Sequence, residues 1–139
     1  RPTNLFVAGF IGSPKMNLLQ AEFLKATQGQ AHVRLKGGEV VSAQCDASQA
    51  RPGDEVVLGV RPEHLVLDNS GETLAAEVVF VETLGAVVTA HLRHPASSET
   101  ITVNAPGDTR LEAGQKVMLR LTPGRTHLFD SAGKAFPAA

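Results

Sequence analysis

Tryptophan and tyrosine are absent from this 139-residue chain, and phenylalanine occurs only six times. A groove for single-stranded nucleic acid stacks bases on aromatic rings and follows the backbone with positive charge. With a formal net charge of −1 and so few rings, neither ingredient is present, and nucleic acid is not expected as a partner. The one cysteine, Cys45, allows no internal disulfide and no thiolate-rich metal site, which suits a reducing compartment. No apolar run approaches the ~20 residues needed to cross a bilayer. There is no G-x-x-x-x-G-K-[ST] sequence, whose backbone amides and lysine would cradle nucleotide phosphates, and no apolar run ending in paired acids. No nucleophile, base and orienting residue can be grouped, so the chain is not expected to be an enzyme by itself. It opens Arg1-Pro2 without an initiator Met, as a piece cut from a longer polypeptide would.

What is present is an internal echo. Gly53-Asp54-Glu55 leads through Val56-Val57-Leu58-Gly59-Val60 and Arg61-Pro62-Glu63 to His64-Leu65 and Asp68. Gly114-Gln115-Lys116 leads through Val117-Met118-Leu119-Arg120-Leu121 and Pro123 to His127-Leu128 and Asp130, with two extra residues before the histidine. Upstream, Leu19–Leu24 matches Leu74–Val79, Ala31–Leu35 matches the Val87–Leu92 run, and Val40–Ala43 matches Thr102–Ala105. These matches divide the chain into a leader over 1–16, two related β units over 17–72 and 73–130, and a frayed tail over 131–139. At this length the units form one domain or two small modules sharing a core.

The leader is the one stretch that favours a helix. Thr3 or Asn4 can cap it, Phe6, Gly9 and Phe10 share a face, and Gly12-Ser13-Pro14 ends it. Beyond Met16 the signals are β. Turn clusters separate short apolar runs, and Gly37-Gly38 between Val33-Arg34-Leu35 and Val40-Val41 suggests a hairpin turn with positive φ. The expected fold class is therefore all-β, with tandem barrel-like units behind a short connector helix. His91 and His94 have metal-ligand spacing for a helix, but on a strand their rings point to opposite faces and no further ligands are evident, so no metal site is expected. His64 and His127, at matching repeat positions, are expected to be structural.

Leu5–Asn17, Leu58-Gly59-Val60-Arg61-Pro62-Glu63-His64-Leu65, Val81-Glu82-Thr83-Leu84-Gly85 and Thr126-His127-Leu128-Phe129-Asp130 resemble, in order and spacing, four hallmark segments of ATP-binding subunits of sugar-importer ABC transporters. The maltose and glycerol-3-phosphate importer subunits are of this kind. The resemblance implies a C-terminal regulatory domain with OB-like (TOBE) barrels, joined through its leader to a nucleotide-binding domain outside this chain that holds ATP and Mg. It implies a second copy of the subunit as homodimer partner, permease subunits reached through the ATPase domain, a regulatory protein, and a cytoplasmic location at the inner face of the membrane. No cofactor is expected in the chain itself. Phe6, Phe10, Met16, Asn17, Arg61, Glu63 and Glu82 lie in these segments and are candidates for subunit or domain contacts. Two alternatives are a small-oxyanion module of the molybdate type and a single-strand-binding OB domain. Against the first, Ser42-Ala43-Gln44-Cys45 only faintly resembles the S-A-R-N motif of molybdate proteins.

Overall fold

A computed structural model describes residues 15–139. The expected connector helix, with Phe6 and Phe10, lies outside the described residues. Ten strands follow in order: β1 (Asn17–Thr27), β2 (Gln30–Leu35), β3 (Val40–Gln44), β4 (Glu55–Val60), β5 (Leu65–Leu67), β6 (Thr73–Leu84), β7 (Val87–Arg93), β8 (Ile101–Pro106), β9 (Lys116–Leu121) and β10 (Thr126–Asp130). A 3₁₀ turn at Pro62–His64 is the only helical segment among the described residues. All-β barrel-like architecture is therefore observed, built from alternating patterns such as the buried Ala31, Val33 and Leu35 of β2. Gly37 and Gly38 both take positive φ in the β2–β3 turn, as the hairpin reading requires.

The two sheets run β10-β4-β1-β2-β3 and β5-β9-β6-β7-β8, all antiparallel. Their registers repeat. Leu19 faces Leu58 and Ala21 faces Val56 in one sheet, where Leu74 faces Leu119 and Ala76 faces Val117 in the other. Both first strands carry a bulge at the same place, between Phe23 and Lys25 and between Val78 and Phe80. An extra residue there bends and twists the strand, which helps a short sheet curl into a barrel. The sequence echo is thus structural through the first two strands of each half.

Each half nevertheless completes the other. β5, from the first half, pairs with β9, and β10, from the second, pairs with β4. The exchange fuses the interiors: Leu19, Leu58, Leu74 and Leu119 belong to one buried cluster. Two smaller reciprocal contacts reinforce it. The Ala96 carbonyl after β7 accepts from the Gln20 amide of β1, while the Glu39 carboxylate after β2 accepts from the Ala75 amide of β6.

Three expectations need correction. His64 and His127 are not equivalent: Leu65 faces Leu121 while Thr126 faces Val60, so each strand starts three residues after its proline, and His127 matches Val66. Spacing from the proline sets the register, and the shared His-Leu pair is a coincidence two residues out of step. Val40–Ala43 is also displaced by two, because Ser42 faces His32 just as Thr102 faces His91. An even slip keeps the inward-outward alternation, which is why the pattern hid it. Finally, the tail is not frayed. Phe136 N–H donates to Leu128 O, Asp46 N–H donates to Pro137 O, and Ala135 bridges Phe129. The tail covers what would otherwise be an open β10 edge.

Candidate interaction surface

Beyond their bulges, β1 and β6 leave their fourth- and ninth-strand neighbours and continue with β2 and β7 as hairpin arms. The arms share a polar device. His32 Nε2 lies 2.7 Å from Thr27 Oγ1 on the first, and His91 Nε2 lies 2.7 Å from Glu82 Oε1 at the matching place on the second. Their exposed faces differ. Where the first arm carries Lys25, the second carries Phe80, stacked on the His91 ring at a centroid distance of 4.1 Å. Leu84 and Val87, cross-strand neighbours at its tip, continue that face. Phe80 is 47% exposed, Leu84 68% and Val87 41%. Fully covering an aliphatic or phenyl side chain is worth ~1.5–3 kcal/mol, so this face can contribute more to an association than the polar first arm.

Glu82 sits on this face. Arg61, half-buried, leads into the 3₁₀ turn; Pro62 is buried and Glu63 is exposed. Met16 and Asn17 are turned inward. Met16, 2% exposed, packs with Phe129, and a Cβ on Gly59 would collide with the Met16 sulfur and lie 3.1 Å from the Phe129 ring. Asn17, 7% exposed, donates from Nδ2 to Thr102 O and accepts at Oδ1 from Thr102 N–H, both at 2.8 Å. Its amide joins β1 to β8 across the two sheets.

Sequence reasoning missed Phe80, Leu84, Val87 and His91 as surface residues. The signal was available: Val78-Val79-Phe80-Val81 is apolar on both faces, which strict alternation with one wet face would not give. It also missed the pairing of Glu39 with His94. His94 is 2% exposed; its Nδ1 accepts from Ala96 N–H, so Nε2 carries the proton and donates to Glu39 Oε2 at 2.9 Å. Burial alone would push the Glu39 carboxyl up, but hydrogen bonds from His94 and from the Ala75 amide outweigh it and hold the group below its ordinary value. His91 and His94 do lie on opposite faces, and among the described residues no three metal-ligating side chains converge.

The family model of the TOBE domain matches residues 58–129, more than half of the chain, and that of the MalK OB fold domain matches residues 12–65. The chain belongs to the TOBE domain family. This TOBE protein is 34% identical over 96% of its length to the maltose/maltodextrin import ATP-binding protein MalK of Vibrio vulnificus, covering 36% of that protein. It is 36% identical to MalK of Yersinia pestis over 96% of the chain and 37% of that protein. With the alpha-glucoside transport ATP-binding protein AglK of Rhizobium meliloti it shares 37% identity over 99% of the chain and 38% of that protein. The chain therefore spans little more than a third of the length of these relatives. Among solved structures, the cytoplasmic molybdate-binding protein ModG matches 81% of this chain and 94% of its own with a TM-score of 0.65, at 20% identity, a likeness of fold. No helix among the described residues is long and apolar enough to cross a membrane.

Proposed function

We propose that this TOBE protein is the regulatory and dimerisation part of a carbohydrate-importer ATP-binding subunit, without nucleotide chemistry of its own. The observation that carries the reading is the match of nearly the whole chain to a part of much longer import ATP-binding proteins. In this reading the two fused barrels form a rigid spacer on the cytoplasmic side of the membrane. It holds two subunits together while ATP-binding domains outside this chain open and close. The permeases are reached through those domains, and the exposed surface, with Glu63, Glu82 and the second arm, is left for subunit or regulatory-protein contacts. Linked through the rest of the assembly, such contacts work at high effective concentration and need not be strong. The contact between copies would be isologous, as two-fold symmetry requires.

A chimera tests the role. Residues 12–139 replace the corresponding part of the Vibrio vulnificus MalK, and ATP-dependent maltodextrin uptake is measured in vesicles. Retained uptake is expected, and uptake no better than that of a MalK lacking the segment overturns the reading. Sedimentation velocity of the chain alone should show weak, concentration-dependent dimers, and a head-to-tail polymer would contradict the symmetric contact. ATP added to the chain should give no saturable binding.

A further inference from the structure

The two halves repeat one junction, and only one copy of it is filled. The start of β8 is held at Thr102, where the Asn17 amide alone satisfies both the N–H and the C=O. Leu65, buried, and the 3₁₀ turn close in on that copy. The matching residue of β3 is Ser42, and there the work is divided. Its N–H donates to Glu72 Oε1 at 2.9 Å and its hydroxyl donates to both Glu72 oxygens at 3.0 Å, while its C=O accepts from Thr126 Oγ1 at 3.2 Å. Glu72 stands where the other half has Asn17, and Thr126 where it has Leu65. A cavity of about 240 Å³ lies against these groups, with Gln30, Gln44 and Arg120 in its walls. At the positions of Gln30 and Gln44, the closed copy has Thr89 and Asn104, which hydrogen-bond to each other.

We propose that this cavity is a binding site for a small neutral polyhydroxyl compound, between glycerol and a single hexose in size. The walls mix acceptors and donors: the Glu72 carboxylate, two primary amides, three hydroxyls and a guanidinium. Each hydroxyl of a polyol both donates and accepts, and so fits such a lining. Arg120 is positioned rather than loose, since its Nε donates to Asp68 Oδ2 at 3.1 Å. The Ser70 hydroxyl and then Arg120 hold the Asp68 carboxyl below its ordinary value, so the anchor stays charged. An oxyanion would meet the Glu72 carboxylate, and a divalent cation would find one carboxylate without a second ligand of its kind. No aromatic ring lines the space to stack a base. The volume is below the ~300 Å³ at which pockets for drug-sized ligands begin, which limits the ligand to a few carbons. Gly71 and Gly124 shape the turns in its wall, both at positive φ, where a side chain would be strained.

Amide chemical shifts of the ¹⁵N-labelled chain test the site, with glycerol, glucose and molybdate as separate probes. Glycerol or glucose should produce saturable shifts at Ser42, Gly71, Glu72 and Thr126, with Asn17 and Thr102 at the closed copy unmoved. Glu72→Gln should weaken that binding about tenfold, the effect of losing one hydrogen bond to a charged group. Gln44→Ala, at an exposed residue, serves as a second variant and should weaken it as well. The proposal is overturned if neither polyol gives saturable shifts, if the closed copy shifts equally, or if binding survives both substitutions. Saturable shifts of the same amides by molybdate alone would also overturn it, making the cavity an oxyanion site.

Discussion

Replacing Asn17 by alanine strips two hydrogen bonds from Thr102 and leaves its N–H and C=O facing a small void between β1 and β8. A buried backbone group left unpaired costs ~1–3 kcal/mol. Thr102 is half-buried, so water reaches part of the gap and the lower end of that range applies to each group. The expected loss is about 2–4 kcal/mol, a large fraction of the ~5–15 kcal/mol that holds a domain folded. At this size it corresponds to a fall in melting temperature of roughly 5–15 °C. Asn17→Asp separates hydrogen bonding from packing. It keeps an acceptor for Thr102 N–H but sets a carboxylate oxygen against Thr102 O, so it should be as damaging as alanine although it is nearly isosteric. Glu72→Gln, the same kind of change at the exposed copy of the junction, should cost about 1 kcal/mol or less, since water can replace what is lost. With no tryptophan or tyrosine in the chain, urea unfolding is best followed by far-ultraviolet circular dichroism, with m-values checked for constancy. If Asn17→Ala falls within ~0.5 kcal/mol of the parent, or Asn17→Asp is as stable as the parent, the cross-sheet amide is not structural and the reasoning fails.

Gly59→Ala should lower stability by about 1–3 kcal/mol in thermal melts, because its Cβ must displace Met16 against the Phe129 ring; a neutral result would mean that Met16 repacks freely. The Glu39 carboxyl titrates below its ordinary value near 4.5 in the folded chain, so its stabilising contribution is complete above that pH and is lost as pH falls through the folded value. Glu39→Gln should therefore flatten the acid limb of a stability-versus-pH curve, and an unchanged limb would refute the assignment. Cutting the chain in the exposed loop between β5 and β6 should give two fragments that are unfolded apart and regain β structure when mixed, as judged by circular dichroism. Independent folding of either fragment would contradict the shared core.

The repeat was legible because the first two strands of each half are fixed by local pattern. Leu19-Gln20-Ala21-Glu22 and Leu74-Ala75-Ala76-Glu77 do occupy the same places, each opposite a Val-x-Leu segment of its own half. The later strands escaped the reading for two reasons. An even slip costs nothing in hydrophobic alternation, so Val40–Ala43 could be matched two residues off. The exchange of β5 and β10 is a choice of partner, and partner choice leaves no mark on the periodicity of either strand. The surface was half visible. Glu82 lies in a stretch that stood out, but Phe80 stacks on His91 only because the bulge turns it outward, and a bulge has no residue signature there. Asn17 stood out for its place in the chain, and its burial depends on Thr102 from the far half.

The exchanged strands also set an order of events during synthesis. When β4 leaves the ribosome it can pair with β1 on one side, but the edge that later receives β10 stays open until Asp130 has been made. An unpaired edge flanked by Val56, Leu58 and Val60 is the kind of surface on which nascent chains join to one another. Speed of completion, more than strength of the finished barrel, would then govern the yield of soluble protein. Residues that pause translation between β5 and β10, or that slow the turn at Pro123, would act on aggregation while leaving the folded molecule unchanged.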